Sequence, residues 1–408
     1  MTPLRTAAAL LLLWTLSFLP ARITSFTPNR YSSAFPLHAS PSTTEVTGQD
    51  TTYFSAPDLI PRSPTYSQRI TLTRFLNNMV KEQPELRDFE SLLLSIQMAC
   101  KTISNLVNRA GLVCFGPNHN GPNHNRDDLE DGRYYSMKRL DQLSTEVLKN
   151  ALQFTGKLNM VAPVSARVEE VPAEHQPGVL IATAYDSNFV ACLDPLDGSG
   201  NADAAICTGT VFGVFDSTLG EGVLQPGKNM RAAGYCLYSS ATVLVFSLGD
   251  GRVQGFTLDP SLKEFVLTHP NLTIPKRGSV YSCNEANSEG WSEEFNAYLS
   301  SLKNGNNQTG KRYAHRYVGS MVGDIHRTLL YGGIFCYPSD TEQHPHGNLQ
   351  LLYKSAPMAF IVNQAGGKSI DEEGGDLLLV QPERIHQKSP CFIGSPDDVD
   401  ELRMHLTS

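Results

Sequence analysis

Apolar residues recur at spacings of three and four through SLLLSIQMACKTISNLV (residues 91–107) and DQLSTEVLKNAL (residues 141–152). That is the period of helices with one buried face, so the stretch from Thr71 to about Leu152 is predicted to be mostly helical. The pattern then changes to alternating or unbroken apolar runs at VLIATAY, FVACL, GTVFGVF, RAAGYCLYSS and ATVLVFSL, between residues 179 and 248. Runs of that length, rich in β-branched and aromatic residues, predict strands of one sheet. From about Thr273 short strand-like runs mix with helical patterns at Glu293 to Leu302 and Asp324 to Leu330. The order predicts an α/β chain in which helices are layered on two mixed sheets, without a solenoid repeat. The expected division is 66–272 for the first domain and 273–408 for the second.

One strand ends in chemistry. Residues 190–201 read VACLDPLDGSGN, which sets two carboxylates, a proline and a Gly/Ser loop after an apolar run. Phosphoryl transfer gathers negative charge on oxygens, and hard divalent cations held by carboxylate and carbonyl oxygens stabilise it while activating water. Asp194 and Asp197 supply carboxylates. Pro195 fixes φ, so a sharp turn is expected there with the Leu196 carbonyl aimed at a metal. Gly198 and Ser199 leave room for a phosphate to approach backbone N–H groups, aided by the dipole of any helix that starts there. Calcium-loop, dinucleotide-loop and Walker spacings all fail, because Leu196 is apolar, Asp203 stands where a glycine is needed, and no Gly-Lys-Ser/Thr follows. An ordinary Asp-Pro and Asp-Gly turn is the competing reading. Upstream, Glu169 and Glu170 are adjacent acids that alone read as solvated surface. Beside an aspartate pair they are expected to serve as bridging ligand and general base, respectively.

Glu-Glu followed by DPLDGS resembles the lithium-sensitive, metal-dependent sugar and inositol phosphatases. Longer strings narrow the resemblance to the class 1 fructose-1,6-bisphosphatase family: ITLTRFL (70–76), MKRLDQLS (137–144), LQPGKNMRAAGYCLYSSAT (224–242), YSCNEAN (281–287), HRYVGSMVGDIHRTLLYGGIFCYP (315–338) and NQAGGKSID (363–371). The resemblance implies a layered α/β/α/β/α sugar-phosphatase fold and hydrolysis of the 1-phosphate of fructose 1,6-bisphosphate with Mg²⁺ or Mn²⁺, in gluconeogenesis or the Calvin cycle. It implies metal ligation by Glu169, Asp194, the Leu196 carbonyl and Asp197, and water activation by Glu170 and Asp141. It places Gly198 and Ser199 at the 1-phosphate, Asn284, Tyr317 and Tyr337 at the 6-phosphate, and Met321 at the sugar. Arg316 matches an arginine donated across a dimer interface, which implies a homodimer or homotetramer. Arginine and tyrosine donors suit phosphate oxygens on physical grounds as well, although Arg316, Tyr317 and Tyr337 also fit a half-buried strand. Sedoheptulose bisphosphatase or inositol phosphatase activity, and a catalytically weakened regulatory paralogue, remain alternatives.

Departures from the family pattern bear on that choice. A metal-binding glutamate of its LLYE segment is Lys354 here, where a cation is expected to repel a divalent ion. A phosphate-binding lysine aligns with Asn348 and a neighbouring arginine with Gln350, so two positive charges are lost. The nucleotide loop of AMP-inhibited members is replaced by Pro84-Glu85-Leu86-Arg87-Asp88, and Asn188 and Phe189 replace a Lys-Tyr pair, so no AMP inhibition is expected. Residues 215–226 carry no cysteine, so the thioredoxin-sensitive loop of plant plastid members is absent. The pentapeptide GPNHN occurs twice between Gly116 and Asn125, with His119 and His124 as weak metal candidates, and the family's loop aspartate falls at Tyr135. Duplication in a loop is the simpler account.

The chain has 408 residues and a formal net charge of −8. No basic run is present, so nucleic acid is not an expected partner and the anionic sugar bisphosphate must meet local positive charge. Eight cysteines lack paired spacing, which points to a reduced compartment without disulfide or zinc framework. Residues 1–20 combine a charged start with an apolar run too short to span a bilayer, the pattern of a signal peptide; no membrane segment is expected in the mature form. Residues 21–65 are rich in Ser, Thr and Pro, and the Ser25-Phe26-Thr27-Pro28 junction resembles the bipartite plastid leader of diatoms and related algae. Simple secretion is the competing expectation.

Overall fold

Apolar side chains that alternate between two faces build the centre of the molecule. The computed structural model describes residues 69–110, 139–152, 158–161, 180–184, 189–216, 224–341 and 344–407. Within them eight strands form one antiparallel sheet in chain order: β1 (Leu158–Val161), β2 (Leu180–Ala184), β3 (Phe189–Asp197), β4 (Thr208–Asp216), β5 (Met230–Tyr238), β6 (Thr242–Ser247), β7 (Gln254–Asp259) and β8 (Glu264–His269). On β3, Val190 and Cys192 enter one core while Ala191 and Leu193 enter the other. On β4, Val211 and Phe215 oppose Phe212 and Val214 in the same way. A sheet covered on both faces needs apolar residues at successive positions, which explains runs such as FVACL.

Helices α1 (Leu72–Glu82), α2 (Arg87–Val107) and α3 (residues 139–152) supply Leu72, Leu76, Leu93, Ile96, Leu140 and Leu148 to the core on one face. Thr71 caps α1 by accepting from the Arg74 N–H at 3.3 Å. The helical expectation is met over residues 71–110 and 139–152, and residues 111–138 lie outside the described residues. Later come α4 (Glu293–Asn304), α5 (Met321–Tyr331), α6 (Ala356–Gln364) and α7 (Pro396–Leu406). Helices α5 and α6 fill the other face of the large sheet through Val322, Ile325, Met358 and Ile361. A second sheet runs β10 (Ala314–His315), β9 (Val280–Ser282), β11 (Ile334–Tyr337), β15 (Cys391–Gly394) and β13 (Lys368–Ile370) from edge to edge. Its Phe335 and Ile393 join the α5–α6 core, whereas Cys336 and Phe392 pack against Phe295 of α4 and Val399 of α7. The layers are therefore α1–α3, large sheet, α5–α6, small sheet, α4–α7. That is the expected α/β/α/β/α order, but only the small sheet is mixed: the large one is antiparallel between all its neighbours, contrary to the expectation of two mixed sheets.

Two short strands, β12 (Leu349–Gln350) and β14 (Lys388–Ser389), pair antiparallel, with Gln350 opposite Lys388. The seven described cysteines are free thiols, six of them buried. Among the described residues no helix is long and apolar enough to cross a membrane. Both leader segments lie outside the described residues, as do the GPNHN repeat and Tyr135.

Candidate active site

The aspartate pair owes its geometry to a slip in register. Asp194 pairs with Val211 and Asp197 with Gly209 across β3–β4, so three steps along β3 match two along β4. In a regular strand, residues three apart face opposite sides of the sheet. The extra residue of a β-bulge cancels that alternation and brings both carboxylates to one side. The sharp turn expected at Pro195 is thus corrected: the strand continues through Asp197. Proline, lacking an N–H, is tolerated at a bulge. Thr210 Oγ1 secures it at 2.7 Å from the Pro195 carbonyl and 2.7 Å from Tyr238 Oη.

Gly198 follows with φ +72°, a left-handed conformation that costs a residue with a Cβ about 1–2 kcal/mol. It opens a six-residue 3₁₀ turn, Ser199–Ala204, instead of a full helix, so a macrodipole contributes little here. Asn201 Nδ2 donates to the Gly319 carbonyl at 3.1 Å, which ties this loop to the start of α5. There Ser320 caps the helix by accepting from the Gly323 N–H at 3.3 Å, and Met321 is buried beside it.

Asp141, on α3, completes a carboxylate cluster. Its Oδ2 accepts from Ser199 Oγ at 3.2 Å. Burial, reinforced by the charge of Asp194, pushes its carboxyl from an ordinary 3.8 up to about 7. Asp194 is also raised, by burial first, with Lys354 acting against the shift. Asp194 and Asp197 are only 4% and 5% exposed, so ionised side chains there need a counter-charge.

Lys354 supplies it. Its Nζ lies 3.0 Å from Asp194 Oδ2 and 2.8 Å from Asp197 Oδ1. The lysine stands in a π-helical turn, Leu351–Ser355, that runs into α6. The Ala356 N–H bonds to the Leu351 carbonyl five residues back. Pro357 cannot donate to the Tyr353 carbonyl, and the wider turn accommodates that missing bond. Burial alone would favour neutral Lys354, but Asp194 and Asp197 outweigh it and hold the ammonium above the ordinary lysine range.

The opposite end of the site lies where parallel strands stop. Strand β9 pairs parallel with both β10 and β11. Arg316 and Tyr317 follow β10, Asn284 follows β9 by two residues, and Tyr337 ends β11. The topology therefore gathers these predicted phosphate contacts at one edge, the place where α/β sheets bind ligands. The Val318 N–H donates to Asp324 Oδ2 at 3.0 Å and Arg327 Nη2 to the Arg316 carbonyl at 3.0 Å, fixing that loop on α5. Burial first, then Tyr337 and Asp324, push Tyr317 up to about 12, with a smaller contribution from Asp197. Arg316 is exposed and donates to the His315 carbonyl at 2.9 Å.

Glu169 and Glu170 lie outside the described residues. Where the sequence leaves Asn348 and Gln350 in place of basic residues, Lys388 comes across the β12–β14 ladder and its Nζ donates to Asn348 Oδ1 at 2.7 Å. Sequence reasoning missed that lysine, since only strand pairing brings it near. Nor did it foresee that Lys354 would reach both aspartates.

As a test of fit for a divalent ion, Asp197 Oδ2 is buried and accepts no hydrogen bond. A buried carboxylate oxygen without a partner is a hard donor of the kind Mg²⁺ or Mn²⁺ takes. The side facing Lys354 carries an ammonium instead.

Comparison with known proteins identifies the family. Residues 70–270 match the family model described as "Fructose-1-6-bisphosphatase, N-terminal domain", and residues 274–407 match its C-terminal domain. A cytosolic fructose-1,6-bisphosphatase of Oryza coarctata is 41% identical over 340 residues, covering 82% of this chain and 93% of that protein. A chloroplastic fructose-1,6-bisphosphatase of Arabidopsis thaliana is 42% identical over 335 residues, 77% and 75% of the two chains. The holo crystal structure of the Leishmania major enzyme superposes with a TM-score of 0.67 at 38% identity, over 84% of this chain and 99% of that one. The chain belongs to the fructose-1,6-bisphosphatase family.

Proposed function

We infer that this chain hydrolyses the 1-phosphate of fructose 1,6-bisphosphate, yielding fructose 6-phosphate and inorganic phosphate. The observation that carries the reading is the bulge that sets Asp194 beside Asp197, with Asp141 and the Gly198–Ser199 loop around them. A phosphate seated at Gly198 and Ser199 would face three carboxylates, and its charge there calls for a cation. A bound divalent ion, Mg²⁺ or Mn²⁺, supplies charge neutralisation and a more acidic water. Asp197 and the Leu196 carbonyl would hold it, with Glu169 in support.

Asp141 takes up a proton near neutral pH and Ser199 orients its Oδ2, so it suits receipt of a proton from attacking water together with Glu170. The water oxygen bonds to phosphorus as the bond from phosphorus to the C1 ester oxygen breaks, the water's proton passes to the carboxylate, and the leaving C1 alkoxide takes up a proton from solvent. Asn284, Arg316, Tyr317 and Tyr337 would hold the far phosphate by charge-assisted hydrogen bonds, while Met321 contacts the sugar. Ligand registration at both ends is what distinguishes a bisphosphate from a monophosphate.

Phosphate release from fructose 1,6-bisphosphate should be abolished by Asp194→Ala; full activity in that variant overturns the assignment. Sedoheptulose 1,7-bisphosphate and inositol monophosphate in the same assay should be poorer substrates. A second reading, a sugar-phosphate binder with weak turnover, is favoured by the Lys354 contacts, and binding without phosphate release would support it. We also propose two domains meeting near residue 273, a homodimer or homotetramer in which Arg316 crosses to a neighbouring copy, and residence in the plastid.

A further inference from the structure

We propose that the Lys354 ammonium is a resident cation occupying one ion position between Asp194 and Asp197, so that the chain binds one divalent ion fewer than its carboxylates would otherwise hold. The inference deepens the phosphatase reading above and rests on it for the identity of the site. Two observations carry it: where the nitrogen sits, and how little freedom its backbone has to leave.

Nζ stands at hydrogen-bond distance from one oxygen of each aspartate, 3.0 Å from Asp194 and 2.8 Å from Asp197. A magnesium ion shared by the same two oxygens would need them at about 2.0–2.1 Å. An ammonium and a dication cannot share that space, and their mutual repulsion in a weakly solvated site is strong.

The lysine is not a surface side chain that happens to reach inward. Leu351, Leu352 and Tyr353, immediately before it, are at most 2% exposed, and Ser355 after it is buried. Tyr353 Oη lies 2.9 Å from His386 Nδ1. The π-helical turn runs into Ala356, Met358 and Ala359 of α6, which are packed between the two sheets. The stem of Lys354 therefore starts from a fixed point, and its side chain is 15% exposed.

Charge leaves room for a further ion. Among the described residues the cluster holds Asp141, Asp194 and Asp197 against Lys354, a sum of −2 if all are ionised, which one dication would balance. Asp197 Oδ2 is buried and accepts no hydrogen bond, so it remains available as a ligand. Lysine thus replaces one ion and leaves another possible.

The test counts ions. Full-length protein stripped with chelator would be titrated with Mn²⁺ alone, and bound metal read by equilibrium dialysis and by the electron paramagnetic resonance of free Mn²⁺. Wild type would be compared with Lys354→Glu and with Lys354→Gln, which removes the charge at nearly constant length. Circular dichroism would verify folding. Lys354→Glu is expected to bind about one more Mn²⁺ per chain than wild type, and Lys354→Gln to bind it more weakly. Should Lys354→Glu not fold, Lys354→Gln against wild type decides alone. Equal ion counts and affinities would overturn the proposal, because the ammonium would then be vacating its place. Phosphate release from fructose 1,6-bisphosphate on the same samples separates the two claims. Absent release with differing ion counts refutes the phosphatase reading only; release with equal counts refutes the resident cation only.

Discussion

Replacing Lys354 by methionine keeps the length and bulk of the stem but removes the charge. Each ammonium–carboxylate contact, at 3.0 and 2.8 Å, carries about 5–6 kcal/mol of attraction at an effective dielectric constant of about 20. Desolvating the three ions costs several kcal/mol each, so the assembled cluster adds little net stability. Breaking it is another matter. Without the ammonium, two carboxylates remain buried side by side, and uncompensated burial of this kind typically costs about 3–5 kcal/mol. In chelator at pH 8, Lys354→Met should therefore lower the urea midpoint by the equivalent of about 3–5 kcal/mol. The loss should shrink at pH 5, where Asp194, whose carboxyl is raised by burial, takes up a proton. Adding Asn at position 194 in the double variant should recover part of it, which a double-mutant cycle reads as coupling. If Lys354→Met in chelator at pH 8 were as stable as wild type, the lysine would not be what neutralises the pair.

Other outcomes follow from single contacts. Asp141 has a folded value of about 7 against an ordinary 3.8, so between those pH values the folded state binds more protons than the unfolded one. Chelated protein should thus lose stability as pH rises from about 4 to 7, by at most about 4 kcal/mol at about 1.4 kcal/mol per decade, and Asp141→Asn should flatten the slope. Thermal melts across pH measure it, and a slope unchanged by Asp141→Asn refutes the cause. Gly198→Ala should cost about 1–2 kcal/mol from its positive φ and slow phosphate release by displacing Ser199; unchanged kinetics would disconnect that loop from the phosphate. Thr210→Val strips the hydroxyl from the Pro195 carbonyl and Tyr238, and about 1–3 kcal/mol of destabilisation is expected in a denaturant melt. AMP should not inhibit; inhibition at micromolar concentration would contradict the reading of residues 84–88.

How much of this was legible depended on length and locality. The helices at 91–107 and 141–152 and the long strands β3 to β6 repeat their periods often enough to be read. Strands β9, β10 and β11 have two to four residues each, too few for alternation to register, so the shared edge at Asn284, Arg316 and Tyr337 emerged from residue types and family resemblance instead. Helix α6 was unread for the opposite reason. From Ala356 to Val362 every residue is buried, because it lies between two sheets, and a helix apolar on all sides shows no stripe. The bulge was invisible because its register is set by β4 and Thr210, fifteen residues from Pro195. Lys354 could be seen as a departure from the pattern, but not its destination, since Asp197 lies 157 residues away in the chain.

These features meet in one physical constraint. A bulge that puts two aspartates on the same side of a buried strand creates a concentrated negative charge, and the fold must neutralise it in every state it visits. A dissociable dication does so only when bound, whereas a tethered ammonium does so from the moment the chain folds, with its ordering entropy already met by the π-helical turn that holds it. The exchange has a chemical limit. An ammonium carries half the charge, offers hydrogen bonds instead of open coordination positions, and cannot lend acidity to a bound water as a dication does. Water activation in this chain must then rest on Asp141, which accepts from Ser199 Oγ, and on the dication that the remaining carboxylate oxygens would hold.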